Sequence, residues 1–302
     1  MNRLRLAAHS PEFSRLIFGT WRVLKNPEAG TPQGLLERLK CCLDAGITTI
    51  DTAEIYGSYR MEEAIGAALR LDAGVKRRME IITKAGIYVP NAFHPERRTA
   101  FYNASAERLV KSAEKSLRFL DVEVLDLFLV HRPDWLTAAE ETAAGLNRLL
   151  RDGKIRSAGV SNYSPAQFQT LQRFMDQPLV TNQVEFSPFQ LAPIFDGTFD
   201  QCQDRGIHPM AWSPTGGGRL FREDEAGCRL RHTLEGLAPK YDGATPDQLC
   251  HAWILAHPTK PAVVLGTTRT ERIASATRSL TLSLEREDWY AITEAARGQR
   301  IP

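Results

Sequence analysis

Short apolar or β-branched segments recur along the chain, at residues 16–21 (LIFGTW), 48–53 (TTIDTA), 80–85 (EIITKA) and 124–131 (VLDLFLVH). They continue at 155–161 (IRSAGVS), 179–186 (LVTNQVEF), 207–214 (IHPMAWSP) and 261–268 (PAVVLGTT). Each is nearly continuous in its apolar character instead of alternating, which predicts strands of a parallel sheet covered on its outer face. Helical spacing fills the intervals. Residues 34–45 place Leu35, Leu36, Leu39 and Leu43 on one side and stop at Gly46; 105–120 carry Leu109, Ala113, Ser116, Leu117 and Leu120. Residues 138–152 end at Gly153, and Ser164-Pro165 and Thr245-Pro246 open helices over 165–174 and 244–257 with a cap followed by proline at the first helical position. A last amphipathic helix is expected at 284–296.

Strand and helix alternate from end to end, with no linker or low-complexity run. Eight such units predict an α/β fold of the (β/α)8 barrel type, one domain over residues 1–302. Enlarged loops are expected at 86–104 and 215–243. Composition adds exclusions. The 302 residues are 43% hydrophobic and 25% charged, ordinary for a soluble protein, and 38 Lys plus Arg against 36 Asp plus Glu leave no basic excess for nucleic acid. Five cysteines without a CxxC pair suit a reducing compartment. The opening MNRLRLAAHSPEFSR lacks the apolar run of a secretory leader, and no stretch is apolar for long enough to cross a membrane, so a cytoplasmic location is expected.

Active sites of such barrels lie at the C-terminal ends of the strands. Those ends are polar here: Asp51 with Tyr56 after strand 2, Lys84 on strand 3, His131 on strand 4, and Ser161-Asn162 on strand 5. Gln183 lies on strand 6, Trp212-Ser213 close strand 7, and Gly266 to Arg269 with Arg272 follow strand 8. Any one alone reads as a cap or a loop residue. Lys84 and His131 each follow a strongly apolar run, so they either reach the barrel mouth or stand buried at a cost of several kcal/mol. Tyr, Lys, Asp and His together make chemical sense. An ammonium beside a phenol stabilises the phenolate, a carboxylate keeps the ammonium charged, and a neutral imidazole can orient a carbonyl oxygen. Such a device moves a proton to or from a C–O group but supplies no hydride, which calls for a cofactor.

These residues resemble the aldo-keto reductase family over about residues 14–280. Asp51-Thr52-Ala53-Glu54-Ile55-Tyr56-Gly57, Ile82-Thr83-Lys84 and Leu129-Val130-His131 look like its strand-2, lysine and histidine segments, and His131-Arg132-Pro133-Asp134 resembles a mostly bacterial branch. The resemblance implies an NADP(H)-dependent reduction of aldehydes or ketones, with Tyr56 as proton donor, Lys84 and Asp51 tuning it and His131 orienting the carbonyl. It also implies that Ser161, Asn162 and Gln183 hold the nicotinamide carboxamide and that Trp212 stacks on the nicotinamide. Gly266, Thr267, Thr268, Arg269 and Arg272 would receive the adenosine 2'-phosphate. The family often has a basic residue at the place of Gly266, an adenine-reaching Asn at Ala276 and a Glu at Ser275. A monomer is the expected state, with a small carbonyl compound as partner and neither nucleic acid nor membrane.

Other sites find little support. Gly216-Gly217-Gly218-Arg219 lacks the GK[ST] of a P-loop and reads as a loop near the pyrophosphate; His251 and His257 are not at ligand spacing, and no metal is expected. His94 reads as a surface residue, and Cys41 and Cys42 as helix packing. Two other readings remain: a cofactor-binding regulatory barrel with little catalysis, and an isomerase or aldolase using Lys84 as a Schiff-base amine. Tyr88, Phe93, Tyr102, Trp135, Phe221 and Trp21 are expected to wall the substrate pocket.

Overall fold

The computed structural model describes residues 3–301. Eight parallel strands close into a barrel: β1 (Leu16–Gly19), β2 (Thr49–Asp51), β3 (Glu80–Ala85), β4 (Leu127–Val130), β5 (Ala158–Ser161), β6 (Asn182–Glu185), β7 (Met210–Trp212) and β8 (Ala262–Leu265). Their buried side chains point alternately into the barrel and onto the surrounding helices, which is why their sequences show no alternation. The paired spans are shorter than the apolar segments that announce them. Leu179, Val180 and Ile207, for example, pack in the core ahead of the first paired residue of β6 and β7.

The helices between them are α1 (Pro32–Asp44), α2 (Met61–Arg70), α3 (Ala106–Leu120), α4 (Ala139–Arg151), α5 (Pro165–Gln172), α6 (Thr198–Arg205), α7 (Pro246–Leu255) and α8 (Thr270–Ala276). Two begin on the caps read in sequence, and α1 begins on Thr31, three residues ahead of the expected start. Thr31 Oγ1 accepts from Gly34 N at 3.0 Å, Ser164 and Gln167 form a reciprocal capping box, and Gln248 accepts from Thr245 N at 3.0 Å.

Two features depart from expectation. An antiparallel pair, Arg3–Arg5 with Glu12–Ser14, lies across the N-terminal end of the barrel. It buries Leu6 and Phe13 completely, and Arg3 reaches Thr48 Oγ1 and Glu80 Oε1 at the starts of β2 and β3. The 215–243 segment, expected as a loop, contains a helix at Glu225–Leu237 that packs on the C-terminal helix Arg286–Arg297. Leu230 and Leu234, one turn apart, face the core, and Asp224 caps it through Gly227 N. The 86–104 segment folds back as a hairpin, pairing Ile87–Tyr88 with Phe101–Tyr102.

Backbone pairing continues past the strand ends and fixes the residues there. Thr20 N donates to Asp51 O, Glu54 N to Lys84 O, His131 N to Ala85 O, and Asn162 N to Gln183 O, at 2.8–3.0 Å. The barrel mouth is therefore held by main chain before any side chain is considered.

Helices α2 and α3 approach so closely that a Cβ on Gly66 would stand 1.9 Å from Phe119 O, a backbone atom with little freedom to yield. Gly66→Ala should lower stability by about 1–3 kcal/mol. Urea unfolding would read this as a lower midpoint at unchanged slope.

Candidate active site

Four polar residues converge at the C-terminal mouth. Lys84 is 1% exposed and spends its three ammonium protons on Asp51 Oδ1 (2.8 Å), Asp51 Oδ2 (2.7 Å) and Thr52 O (2.7 Å). Asp51, also buried, accepts a further bond from Gln183 Nε2 at 2.7 Å across the barrel interior. Tyr56 lies beside this pair with its ring centroid 5.1 Å from Lys84 Nζ, and its ring meets His131 edge-on at 5.8 Å. Tyr56 thus feels the ammonium through space, with the ammonium's own bonds aimed elsewhere.

The presentation of Tyr56 rests on an unusual turn. Gly57, Ser58 and Tyr59 all adopt left-handed backbone, with φ of 57°, 55° and 69°. For the two non-glycine residues this costs of order 1 kcal/mol each or more. Tyr59 is pinned in exchange. Its hydroxyl accepts from Val89 N (3.1 Å) and Arg97 Nη1 (2.8 Å) and donates to Ile87 O (3.3 Å), all on the 86–104 segment.

Charge states follow from burial. Desolvation, reinforced by Asp51, raises the Tyr56 phenol well above its ordinary value, with Arg132 opposing. The Lys84 ammonium is held in contact with Asp51, whose charge offsets part of its field at the phenol, so desolvation dominates while the site is at rest. Desolvation, then Lys84 and Arg132, holds His131 well below the usual histidine range, so its imidazole is neutral. Burial also pulls Lys84 down, and Asp51 pulls it back up.

A second set of groups adjoins the first. Trp212 Nε1 donates to Asn162 Oδ1 (3.2 Å), Asn162 Nδ2 to Ser161 Oγ (2.7 Å), and Ser161 Oγ to Gln183 O (2.9 Å). These bonds end on the main-chain carbonyl of Gln183, and its side-chain amide separately bonds Asp51, so Gln183 links the two groups through its own covalent frame. Asn162 and Ser213 reach their positions through left-handed backbone, with φ of 59° and 54°. Each amide keeps unused capacity, a second N–H on Asn162 and the Gln183 oxygen among them.

These residues border a cavity of about 950 Å³. Asp51, Tyr56, His131, Ser161, Asn162, Gln183, Trp212, Ser213, Gly266, Thr267, Thr268, Arg269 and Arg272 all line it, whereas Lys84 stands behind the wall. The strand-8 segment is braced from beneath. Arg38 Nε donates to Thr268 O at 2.8 Å, and Arg272 lies 5.1 Å over the Phe221 ring. Of the expected aromatic walls, Trp21 and Phe221 line the cavity, but Tyr88, Phe93, Tyr102 and Trp135 do not. Tyr88 turns inward under Arg97 and Arg108 and stacks on Phe101, because the hairpin folds back over α3. Sequence reasoning missed Arg22, Asn26, Arg132 and His251, all on the wall. Arg132 had a signal in its place directly after His131. Arg22 had none: its Nη2 donates to Gly217 O across the cleft at 2.9 Å, and its Nη1 lies 3.5 Å from where a Cβ on Gly266 would be.

Removing one member of the Asp51–Lys84 pair strands a buried charge. Lys84→Met and Asp51→Asn should each cost about 3–5 kcal/mol, and the double variant less than their sum. Denaturant titration of the four proteins gives the coupling directly; strictly additive losses would contradict the pairing.

The aldo/keto reductase family profile matches residues 15–297. The chain is 40% identical over its full length, and that of the relative, to oxidoreductase YdhF of Escherichia coli. It is 37% identical to a 6-dehydroglucose reductase of Agrobacterium fabrum, with 96% of each chain aligned. Among solved structures, an aldo/keto reductase from Klebsiella pneumoniae in complex with NADP and acetate superposes with a TM-score of 0.79 at 27% identity, covering 100% of this chain and 96% of that one. A glycerol dehydrogenase from Gluconobacter oxydans gives 0.86 at 25% identity, covering 100% and 97%. With its closed (β/α)8 barrel and its polar mouth, the chain belongs to the aldo/keto reductase family.

Proposed function

We propose that this protein is an NADP(H)-dependent oxidoreductase that reduces an aldehyde or ketone to an alcohol. The observation that carries the reading is that one cavity brings Tyr56 and His131, beside the Asp51–Lys84 pair, together with the polar edge of Trp212, Asn162, Ser161 and Gln183, a proton-handling group next to a surface suited to a nicotinamide. The cavity fits such a cofactor. It is far larger than a small carbonyl compound requires, and it extends from Tyr56 and His131 to the basic pair Arg269 and Arg272.

Within this reading, Ser161, Asn162 and Gln183 hold the carboxamide through their unused donors and acceptors, and Trp212 offers its ring to one face of the nicotinamide. Arg269, Arg272 and the hydroxyls of Thr267 and Thr268 receive the 2'-phosphate. Gly266 leaves room there for the Arg22 guanidinium. The bound cofactor supplies a hydride to the carbonyl carbon. Tyr56 gives its proton to the carbonyl oxygen. Burial keeps that proton in place until negative charge develops beside it, and the fixed ammonium of Lys84 then stabilises the phenolate left behind. Neutral His131 donates a single N–H to the same oxygen and orients it. Lys84 is poorly disposed to Schiff-base chemistry, because all of its protons are engaged and its wall position removes it from the cavity surface.

Oxidation of NADPH by a panel of aldehydes and ketones is the direct test. Tyr56→Phe keeps the ring and loses the proton, so kcat should fall by about 10²–10⁴-fold while the affinity for NADPH, read by tryptophan quenching, stays within a factor of about two. Retention of a tenth of the activity would remove Tyr56 as the acid. NADPH should bind more tightly than NADH, and Arg272→Ala should erase most of the difference, roughly 10- to 150-fold for a charge-assisted contact. Equal wild-type affinities for the two cofactors would argue against phosphate recognition.

A further inference from the structure

The far end of the cavity holds a polar side chain without a partner. His251 lies on α7, 5% exposed, and borders the cavity together with Asp247, Arg272 and Ala276. Among the described residues neither ring nitrogen forms a hydrogen bond, and Nδ1 is sealed from solvent. Buried polar groups are nearly always satisfied, so an enclosed imidazole with nothing to bond calls for an explanation. Of the other enclosed imidazoles, His208 Nδ1 bonds Thr259 O and His257 Nδ1 bonds Thr259 Oγ1, while His131 Nδ1, beside Tyr56, is unpartnered like His251.

The tautomer follows from the surroundings. A sealed N–H with no acceptor is costlier than a sealed lone pair, so the proton belongs on Nε2. Burial pulls the ring below the usual histidine range, Asp247 opposing, and it remains neutral with one N–H to donate. The rest of this corner is suited to a flat heteroaromatic ring. Ala276 is small and apolar, and the Arg272 guanidinium presents a planar cation.

We propose that His251 Nε2 donates a hydrogen bond to a ring nitrogen of the adenine base of the bound dinucleotide, making His251 a binding residue for the adenosine half. The assignment rests on the cofactor reading above. It gives a partner to Nε2, the ring nitrogen that is not sealed, leaves Nδ1 as a buried lone pair, and places base recognition on α7, one turn from Asp247.

Fragment titration tests it. Wild type, His251→Leu and His251→Gln are titrated calorimetrically with adenosine 2',5'-bisphosphate, with reduced nicotinamide mononucleotide and with NADPH. His251→Leu should weaken the bisphosphate and NADPH by about three- to tenfold and leave the mononucleotide unchanged. His251→Gln keeps an N–H donor at similar reach and should recover part of the loss. Circular dichroism melts of all three proteins show whether each is folded at the titration temperature. Unchanged bisphosphate affinity in folded His251→Leu overturns the assignment of His251 and leaves the oxidoreductase reading intact. Equal weakening of both fragments assigns the ring to packing and overturns it as well. A wild type that binds neither NADPH nor the bisphosphate overturns both.

Discussion

The ion pair of Asp51 and Lys84 sets the terms for everything at the barrel mouth. Each charge, taken out of water alone, costs several kcal/mol, and mutual attraction offsets this only if the remaining donors and acceptors are also matched. Both conditions are met. The ammonium has three acceptors, and the carboxylate takes two of its protons and an amide of Gln183. The partners come from β2, β3 and β6, so satisfying one carboxylate requires strands on opposite sides of the barrel to hold a common register. A closed barrel is well suited to this, because its interior brings residues 132 positions apart within a hydrogen bond.

The same pairing shapes the electrostatics. A lone buried lysine would press its neighbours strongly toward anionic forms; a lysine paired at contact distance does so less. Tyr56 accordingly holds its proton, and His131 stays uncharged between Lys84 and Arg132. The site at rest contains one compact zwitterion and two neutral rings. That suits the proposed reduction, in which an oxyanion would form only transiently.

Much of this was legible in sequence because burial leaves a clear imprint. A Lys at the end of EIITKA or a His after LFLV interrupts an apolar run where only a mouth position or a buried partner makes sense. Other features left weaker traces. The N-terminal pair RLR with EFS is too short and too charged to show as strands, and the Arg- and Gly-rich composition of 225–237 masks the two leucines that make it a helix. Aromatic content alone predicted a pocket wall at Tyr88, yet a side chain's direction depends on how its hairpin folds, and two arginines claim that ring instead. Arg22 and His251 enter the site from segments nearly the whole chain apart, and no local pattern announces such a meeting.

The turn after Tyr56 bears on how freely this scaffold can exchange parts. In many barrels the loops are separable modules, set on a frame that does not depend on them. Here the strained residues that aim the Tyr56 ring are fastened at Tyr59, and the hydrogen bonds of its hydroxyl come from Ile87, Val89 and Arg97. A transplanted 86–104 segment from another barrel would replace Ile87 on the cavity wall and at the same time unmoor the Tyr56 ring. The cavity wall at Ile87 and the aim of the Tyr56 ring are thus coupled through one hydroxyl, and in this protein the two cannot drift independently.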